Sequence, residues 1–190
     1  MTILAINGSP RAGGNTSIML EWALDELTKE GFNSELIERA SEPVQGCLSC
    51  GYCFKAQDGT CKIDDPINEL IPKVHKARAL IMGSPVYFAD LTPWLKAFID
   101  RVGLVSLNAG NPLKRKIGAA VVVARRAGHV HTYDSINHFF GITEMITVGS
   151  SYWNLGVALE PGQVAKDEEA QRTMRNLGKN MAWLLKKIAR

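Results

Sequence analysis

An α/β layered domain on a parallel sheet is the fold class this sequence predicts. Three observations carry that prediction. Short apolar runs alternate with amphipathic stretches along the chain, a pattern that implies parallel pairing. A glycine-rich turn follows the first apolar run. The chain has 190 residues, 46% of them apolar, enough for one domain that buries about 70% of its unfolded surface without staples.

The elements follow in order. Ile3 to Ile6 is a strand ending in Asn7-Gly8-Ser9-Pro10. A helix is expected from about Thr16 to Glu30, with Leu20, Leu24 and Leu27 on one face and Gly31 as C-cap. Ser34 to Arg39 alternates polar and apolar residues like a half-buried strand. A cysteine-bearing segment comes next, then a helix over about Asp65 to Lys76. Ala79 to Gly83 reads as a buried strand. Thr92-Pro93 is an N-cap and N1 pair for a helix through Val102. Lys116 to Val123 is a Val-rich strand, followed by a helix over about Thr132 to Phe140 and a short strand around Met145 to Val148. Met174, Leu177, Met181, Leu184 and Ile188 form the apolar stripe of a last helix of about 20 residues. Five strands suit a doubly wound sheet, whose ligands bind at the carboxyl ends of the strands near the topological switch point.

Composition excludes several classes. The balance of 22 Lys+Arg against 19 Asp+Glu, a net charge of +3, is too even for a nucleic-acid footprint. No basic leader precedes the first apolar run, and no stretch approaches the roughly 20 apolar residues of a membrane span. The expectation is a cytoplasmic protein. All four cysteines lie between Cys47 and Cys61. In a reducing compartment such clustering points to metal or redox chemistry rather than to bridges.

Candidate site residues fall in the loops after the first, third and fourth strands. The first reads Gly8-Ser9-Pro10-Arg11-Ala12-Gly13-Gly14-Asn15-Thr16-Ser17. A helix N-terminus beyond it binds anions. Its glycines let the backbone approach a phosphate. Ser9, Asn15, Thr16 and Ser17 add donors, and Arg11 adds charge. A Walker A loop is excluded because Gly14-Asn15 stands where Lys-Ser/Thr belongs, and no G-x-G-x-x-G occurs. What remains is a cradle for a single phosphate, or an ordinary capped turn. After the third strand, Pro85, Val86, Tyr87 and Phe88 suit a flat ring, unless Tyr87 and Phe88 cover the core. After the fourth strand, Ala124-Arg125-Arg126-Ala127-Gly128 brings two arginines that either stabilise charge on a reduced ring or stand in solvent. His129 and His131 read as loop or helix-start residues, with no third ligand near them.

Together these residues resemble the flavodoxin-like NAD(P)H-dependent FMN reductase family, and within it the iron–sulfur flavoprotein branch. The resemblance rests on Gly8-Ser9-Pro10-Arg11 with Gly14-Asn15-Thr16-Ser17, on Gly83-Ser84-Pro85-Val86-Tyr87-Phe88, and on Cys47-x2-Cys50-x2-Cys53-x7-Cys61 leading into Ile63-Asp64-Asp65. It covers roughly the first 130 residues in order. It implies a three-layer flavodoxin-like fold with a five-stranded parallel sheet in the order 2-1-3-4-5 and non-covalent FMN. Carried over, Ser9, Arg11, Asn15, Thr16 and Ser17 hold the phosphate, and Pro85, Val86, Tyr87 and Phe88 line the isoalloxazine. Ala124, Arg125, Arg126 and Gly128 lie toward its pyrimidine side. Trp94 and Leu91 are either interface contacts of a homodimer or homotetramer, or core residues.

The cysteine run admits three states: a 4Fe–4S cluster on Cys47, Cys50, Cys53 and Cys61, a zinc ion, or four reduced thiols. The resemblance implies hydride transfer from NADH or NADPH to FMN, with no side chain singled out as catalytic. Electrons then pass to a small acceptor such as a quinone or flavin or, with a cluster present, through it to a partner such as ferredoxin. Two other classes stay open: an electron carrier of iron–sulfur flavoprotein type or of flavodoxin type, the +3 charge arguing against the flavodoxin type, and a phosphate-binding regulator on the same fold.

Overall fold

A computed structural model describes residues 2–188. The elements are β1 (Thr2–Asn7), α1 (Asn15–Lys29), β2 (Asn33–Ile37), α2 (Tyr52–Ala56), α3 (Pro66–Lys76), β3 (Ala79–Pro85), α4 (Pro93–Asn108), β4 (Ile117–Ala124), α5 (His129–Ile142), β5 (Ile146–Thr147), β6 (Leu155–Val157), a 3-10 turn (Gln163–Lys166) and α6 (Glu168–Ile188). The sheet is parallel throughout in the order β2-β1-β3-β4-β5, with β6 also pairing with β4. This is the flavodoxin-like order.

The central strands are apolar on both faces because both faces are covered. Leu4, Ile6, Leu80, Met82, Ala120 and Val122 join the core under α3, α4 and α5. Their neighbours Ile3, Ala5, Ile81, Ala119 and Val121 join the core under α1 and α6. The helices α1 and α6 approach closely at Gly178, where a Cβ would lie 2.5 Å from the Ala23 carbonyl oxygen.

Local signals explain the boundaries. Asp65 caps α3 by accepting the Ile67 N–H at 3.0 Å, with Pro66 at N1. Thr92 caps α4 by accepting the Leu95 N–H, and its hydroxyl donates to the Gly8 carbonyl at 2.7 Å. That bond ties the start of α4 to the first loop. Gly31, at φ +87°, follows α1 in the left-handed conformation expected of a C-cap.

Three features differ from the sequence expectation. The helix α4 runs six residues past Val102, because Gly103 is buried against the Phe139 ring rather than ending the helix. The helix α5 begins at His129, not Thr132, with Gly128 at its N-cap. The fifth strand position is divided: β5 pairs with the start of β4 and β6 with its end, Val122 to Ala124 opposing Leu155 to Val157. The strand β6 has three residues, too few for a periodic signal. No helix among the described residues is long and apolar enough to cross a membrane.

Candidate active site

The first loop is built on a network around one half-buried carboxylate, that of Glu38. Asn7 ends β1 fully buried. Its side-chain oxygen accepts the Ser9 N–H at 2.9 Å. Its amide donates to the Ser17 hydroxyl and to Glu38 Oε1, both at 2.9 Å. The same carboxylate oxygen accepts the Ser17 hydroxyl and, at 3.2 Å, the Gly13 N–H. Burial pushes the Glu38 carboxyl up, but the bonds from Ser17, Asn7 and Gly13 together hold it below the usual range. Gly13, at φ +64°, makes the turn that this geometry needs.

The loop ends at Gly14, the N-cap of α1, where no side chain caps the helix and no acidic residue occupies the first turn. The amides at that end are therefore available to an anion. They face a cavity lined by Ser9, Arg11, Gly14, Asn15 and Thr16 from this loop. Pro85, Val86 and Tyr87 line it from the end of β3, and Val123, Ala124 and Arg125 from the end of β4. Ala158, Leu159 and Pro161, just past β6, close it. Nine of the thirteen flavin-site residues expected from the sequence thus line one cavity at the carboxyl ends of β1, β3 and β4.

The other four lie elsewhere. Ser17 is fully buried and spends its hydroxyl on Glu38. Phe88 projects entirely into solvent at φ +46°, at the tip of a turn closed by paired Tyr87 and Asp90 backbone bonds of 2.7 and 3.0 Å. It neither lines the cavity nor covers the core. Arg126 is exposed beyond the cavity. Gly128 lies beneath the flavin loop, where a Cβ would come within 2.7 Å of Val86 Cγ1. Leu91 and Trp94 are buried in the α4-side core. His129 opens α5 and its Nε2 lies 3.2 Å from the Gly156 carbonyl oxygen.

Asn15 lines the cavity, but its side chain is already engaged. It donates to the Glu160 carbonyl at 2.9 Å and accepts the Val164 N–H at 3.1 Å, joining the start of α1 to the wall beyond β6. The anion donors that remain are the helix amides, the Thr16 hydroxyl and Arg11, with the Ser9 hydroxyl, which donates at a long 3.5 Å to the Arg11 carbonyl. This set fits a single phosphate, with apolar groups beyond it for a ring.

Sequence reasoning missed Glu38 and residues 158–161. The second stretch carries a turn signal, Glu160-Pro161-Gly162, but no recognisable strand before it. Glu38 has no signal of its own, because its role depends on where β2 delivers it.

The cysteine segment lies between β2 and α3. All four thiols are free; Cys47 and Cys50 are exposed, while Cys53 and Cys61 are half-buried against the α4-side core. The short α2 carries Cys53 between Gly51 at φ +71° and Gln57 at φ +52°. Burial, with Cys47 and Cys61 nearby, pushes the Cys53 thiol up. The Cys61 N–H donates to Asn68 Oδ1 at 2.9 Å. Among the described residues, no three His, Cys, Asp or Glu side chains are grouped to hold a single metal ion. A four-iron cube is larger than one ion and sets its thiolates wider apart. The donor chemistry, four thiols in one short segment with two of them half-buried, fits such a cube.

The fold and the cavity define a class: flavodoxin-like proteins with an open helix N-terminus at the end of β1. The chain belongs to the NADPH-dependent FMN reductase family, whose model matches residues 1–160, and within it to the iron–sulfur flavoprotein branch. It is similar to an iron–sulfur flavoprotein of Methanocaldococcus jannaschii, 36% identical over 195 residues and 99% of each chain. Its fold is similar to that of an archaeal flavodoxin, with a TM-score of 0.64 at 17% identity over 98% of this chain and 99% of that one. It also matches the NAD(P)H:quinone oxidoreductase of Methanothermobacter marburgensis, with a TM-score of 0.70 at 16% identity over 95% and 96% of the two chains. The protein is an NAD(P)H-dependent oxidoreductase of the FMN reductase type.

Proposed function

We propose that the chain acts as a single FMN-binding domain that oxidises NAD(P)H and delivers the electrons to a quinone or flavin. In the same reading, Cys47, Cys50, Cys53 and Cys61 hold a 4Fe–4S cluster. The observation that carries the flavin site is the uncapped N-terminus of α1, opening on the cavity between the ends of β3 and β4. Membership of the iron–sulfur flavoprotein branch and the fit of the four thiols support the cluster.

FMN supplies hydride acceptance and release of electrons singly or in pairs. The chain's part is binding and tuning. The amides of α1, with Ser9, Thr16 and Arg11, hold the phosphate. Glu38 and Asn7 keep that loop in shape, and Asn15 fastens it to the wall at 158–161. Pro85, Val86 and Tyr87 flank the ring, and Arg125 brings positive charge to the same cavity, where it opposes negative charge gained on reduction. The cysteine centre provides a one-electron outlet, suited to a partner such as ferredoxin. A homodimer or homotetramer and a cytoplasmic location complete the proposal. Exposed Leu104, Leu107 and Ile142, gathered in one groove between α4 and α5, support an association surface.

Anaerobic purification followed by a visible spectrum and iron and sulfide analysis tests both centres. The expected result is a flavin spectrum with about four irons per chain. NADH and NADPH oxidation is then measured with quinone, flavin and ferredoxin as acceptors. A protein that takes up no FMN, or that is FMN-loaded but oxidises neither nucleotide with any of them, overturns the reductase proposal.

A further inference from the structure

Arg101 is the largest of the fully buried side chains, and nothing in the flavin site uses it. It projects from α4 under the cysteine segment. Its Nη1 pairs with Asp65 Oδ2 at 2.5 Å and donates to the Gln45 carbonyl at 3.1 Å. Its Nη2 donates to the Ile63 carbonyl at 3.0 Å. The Gln45 N–H also reaches Asp65 Oδ2, at 3.1 Å. One guanidinium thus grips the chain just before Cys47 and just after Cys61. Cys61 stands two residues before the Ile63 carbonyl that Nη2 holds, near enough for its thiol to favour the charged guanidinium. The Nε–H is buried without a partner among the described residues, a costly arrangement unless an acceptor arrives.

Burying an arginine is unfavourable unless its geometry is well satisfied. A core position in α4 would accept an apolar side chain at less cost. What an arginine adds there is a planar fork that reaches several acceptors at once and a fixed positive charge. Both bear on an iron–sulfur centre, whose potential depends on local charge and on hydrogen bonds to its sulfurs.

We propose that Arg101 is the positioning residue of the cysteine centre: it clamps both ends of the segment from 45 to 65 and sets a positive charge against Cys61 that favours the reduced cluster. This rests on the cluster reading of the four thiols. The net charge of a reduced cluster is one unit more negative, so the adjacent cation stabilises it and raises the potential. No electron passes through Arg101 itself.

The test uses anaerobically prepared full-length Arg101→Lys, Arg101→Gln and Asp65→Asn proteins beside the parent. Iron content, the cluster midpoint potential from an EPR-monitored titration, hydrogen exchange of residues 46–62 and FMN affinity are measured. Arg101→Lys keeps the charge but loses the fork. It is expected to hold less iron and to exchange about tenfold faster in the segment, with a potential close to the parent's. Arg101→Gln should also shift the potential of any remaining cluster to more negative values. Asp65→Asn, which leaves the arginine uncompensated, should shift it the other way. FMN affinity should not change in any of them. Should Arg101→Gln fail to fold, Arg101→Lys and Asp65→Asn still decide the matter. A parent protein without iron or sulfide overturns the cluster reading and this role with it. A parent with a full cluster, and variants with unchanged potential and exchange, overturns the role of Arg101 alone.

Discussion

The loop after β1 and the cysteine segment are both irregular stretches beside the same sheet, yet they are held in opposite ways. The loop after β1 is fixed from within. Asn7, Ser9, Gly13 and Ser17 bond to one another or to Glu38 along its whole length. The cysteine segment is gripped at its ends, and its internal bonds are local ones, from Tyr52 and Thr60 to Asp58. Arg101 and Asp65 grip it before Cys47 and after Cys61, and Cys47 and Cys50 between them are exposed. A site for a phosphate gains from a cradle already in place, since the ligand then loses less in ordering the chain. A segment whose thiols bind metal can leave its interior to be completed by the metal, because that binding free energy also serves to fold it.

This contrast is open to attack at each anchor. The largest effect is expected at the clamp. Asp65→Ala leaves Arg101 buried without its carboxylate, and loss of about 3–5 kcal/mol is expected in urea unfolding. A loss below about 1 kcal/mol would show that the clamp is no firmer than a surface pair. Glu38→Ala strips the acceptor from Asn7, Ser17 and Gly13 and should cost about 1–3 kcal/mol, with faster hydrogen exchange confined to residues 8–17. Asn15→Ala removes two bonds to residues 160 and 164. About 1–2 kcal/mol and weaker FMN binding are expected, read by urea titration and by fluorescence quenching. Phe88→Ser should change stability by less than about 0.5 kcal/mol, since the ring touches solvent alone.

Acid offers a common probe of both regions. The carboxyls of Asp65 and Glu38 are raised by burial but held below their usual range overall, Asp65 by Arg101 and backbone N–H groups and Glu38 by its three donors. Each therefore contributes stability that is present above its unfolded pKa, about 4. That contribution is lost as pH falls through the lower folded value. Urea midpoints at pH 7 and near pH 3.5 should fall less in Glu38→Gln than in the parent.

The layered fold was legible because its signals are local. Apolar runs buried on both faces, the Thr92-Pro93 and Asp65-Pro66 helix starts and Gly31 all act within a few residues of where they are read. The loops after β1, β3 and β4 that line the cavity were legible for the same reason, as they follow long apolar strands directly. What stayed hidden depends on distant parts of the chain. Glu38 acts on a loop reached from another strand, Asn15 turns to residues far along the sequence, and Arg101 reads from the sequence as one more charge on an amphipathic helix. The run of α4 past Val102 stayed hidden too, since Gly103, a weak helix former, is supported there by the Phe139 ring from another helix.

The divided fifth strand separates two duties that one continuous strand would share. The short β5 closes the foot of the sheet, while β6 pairs alongside the end of β4 and leads directly into the cavity wall at 158–161. Residues 148–154 join them and carry half-exposed Tyr152 and Trp153 to the surface. The connector is tied down at both ends, by Ser150 donating to the Thr173 carbonyl at 2.6 Å and by Asn154 donating to the Ala120 carbonyl at 2.9 Å, so the exposed rings of Tyr152 and Trp153 between them can change without shifting the wall. A lineage of such proteins could thus change what it meets while keeping the ligand it holds.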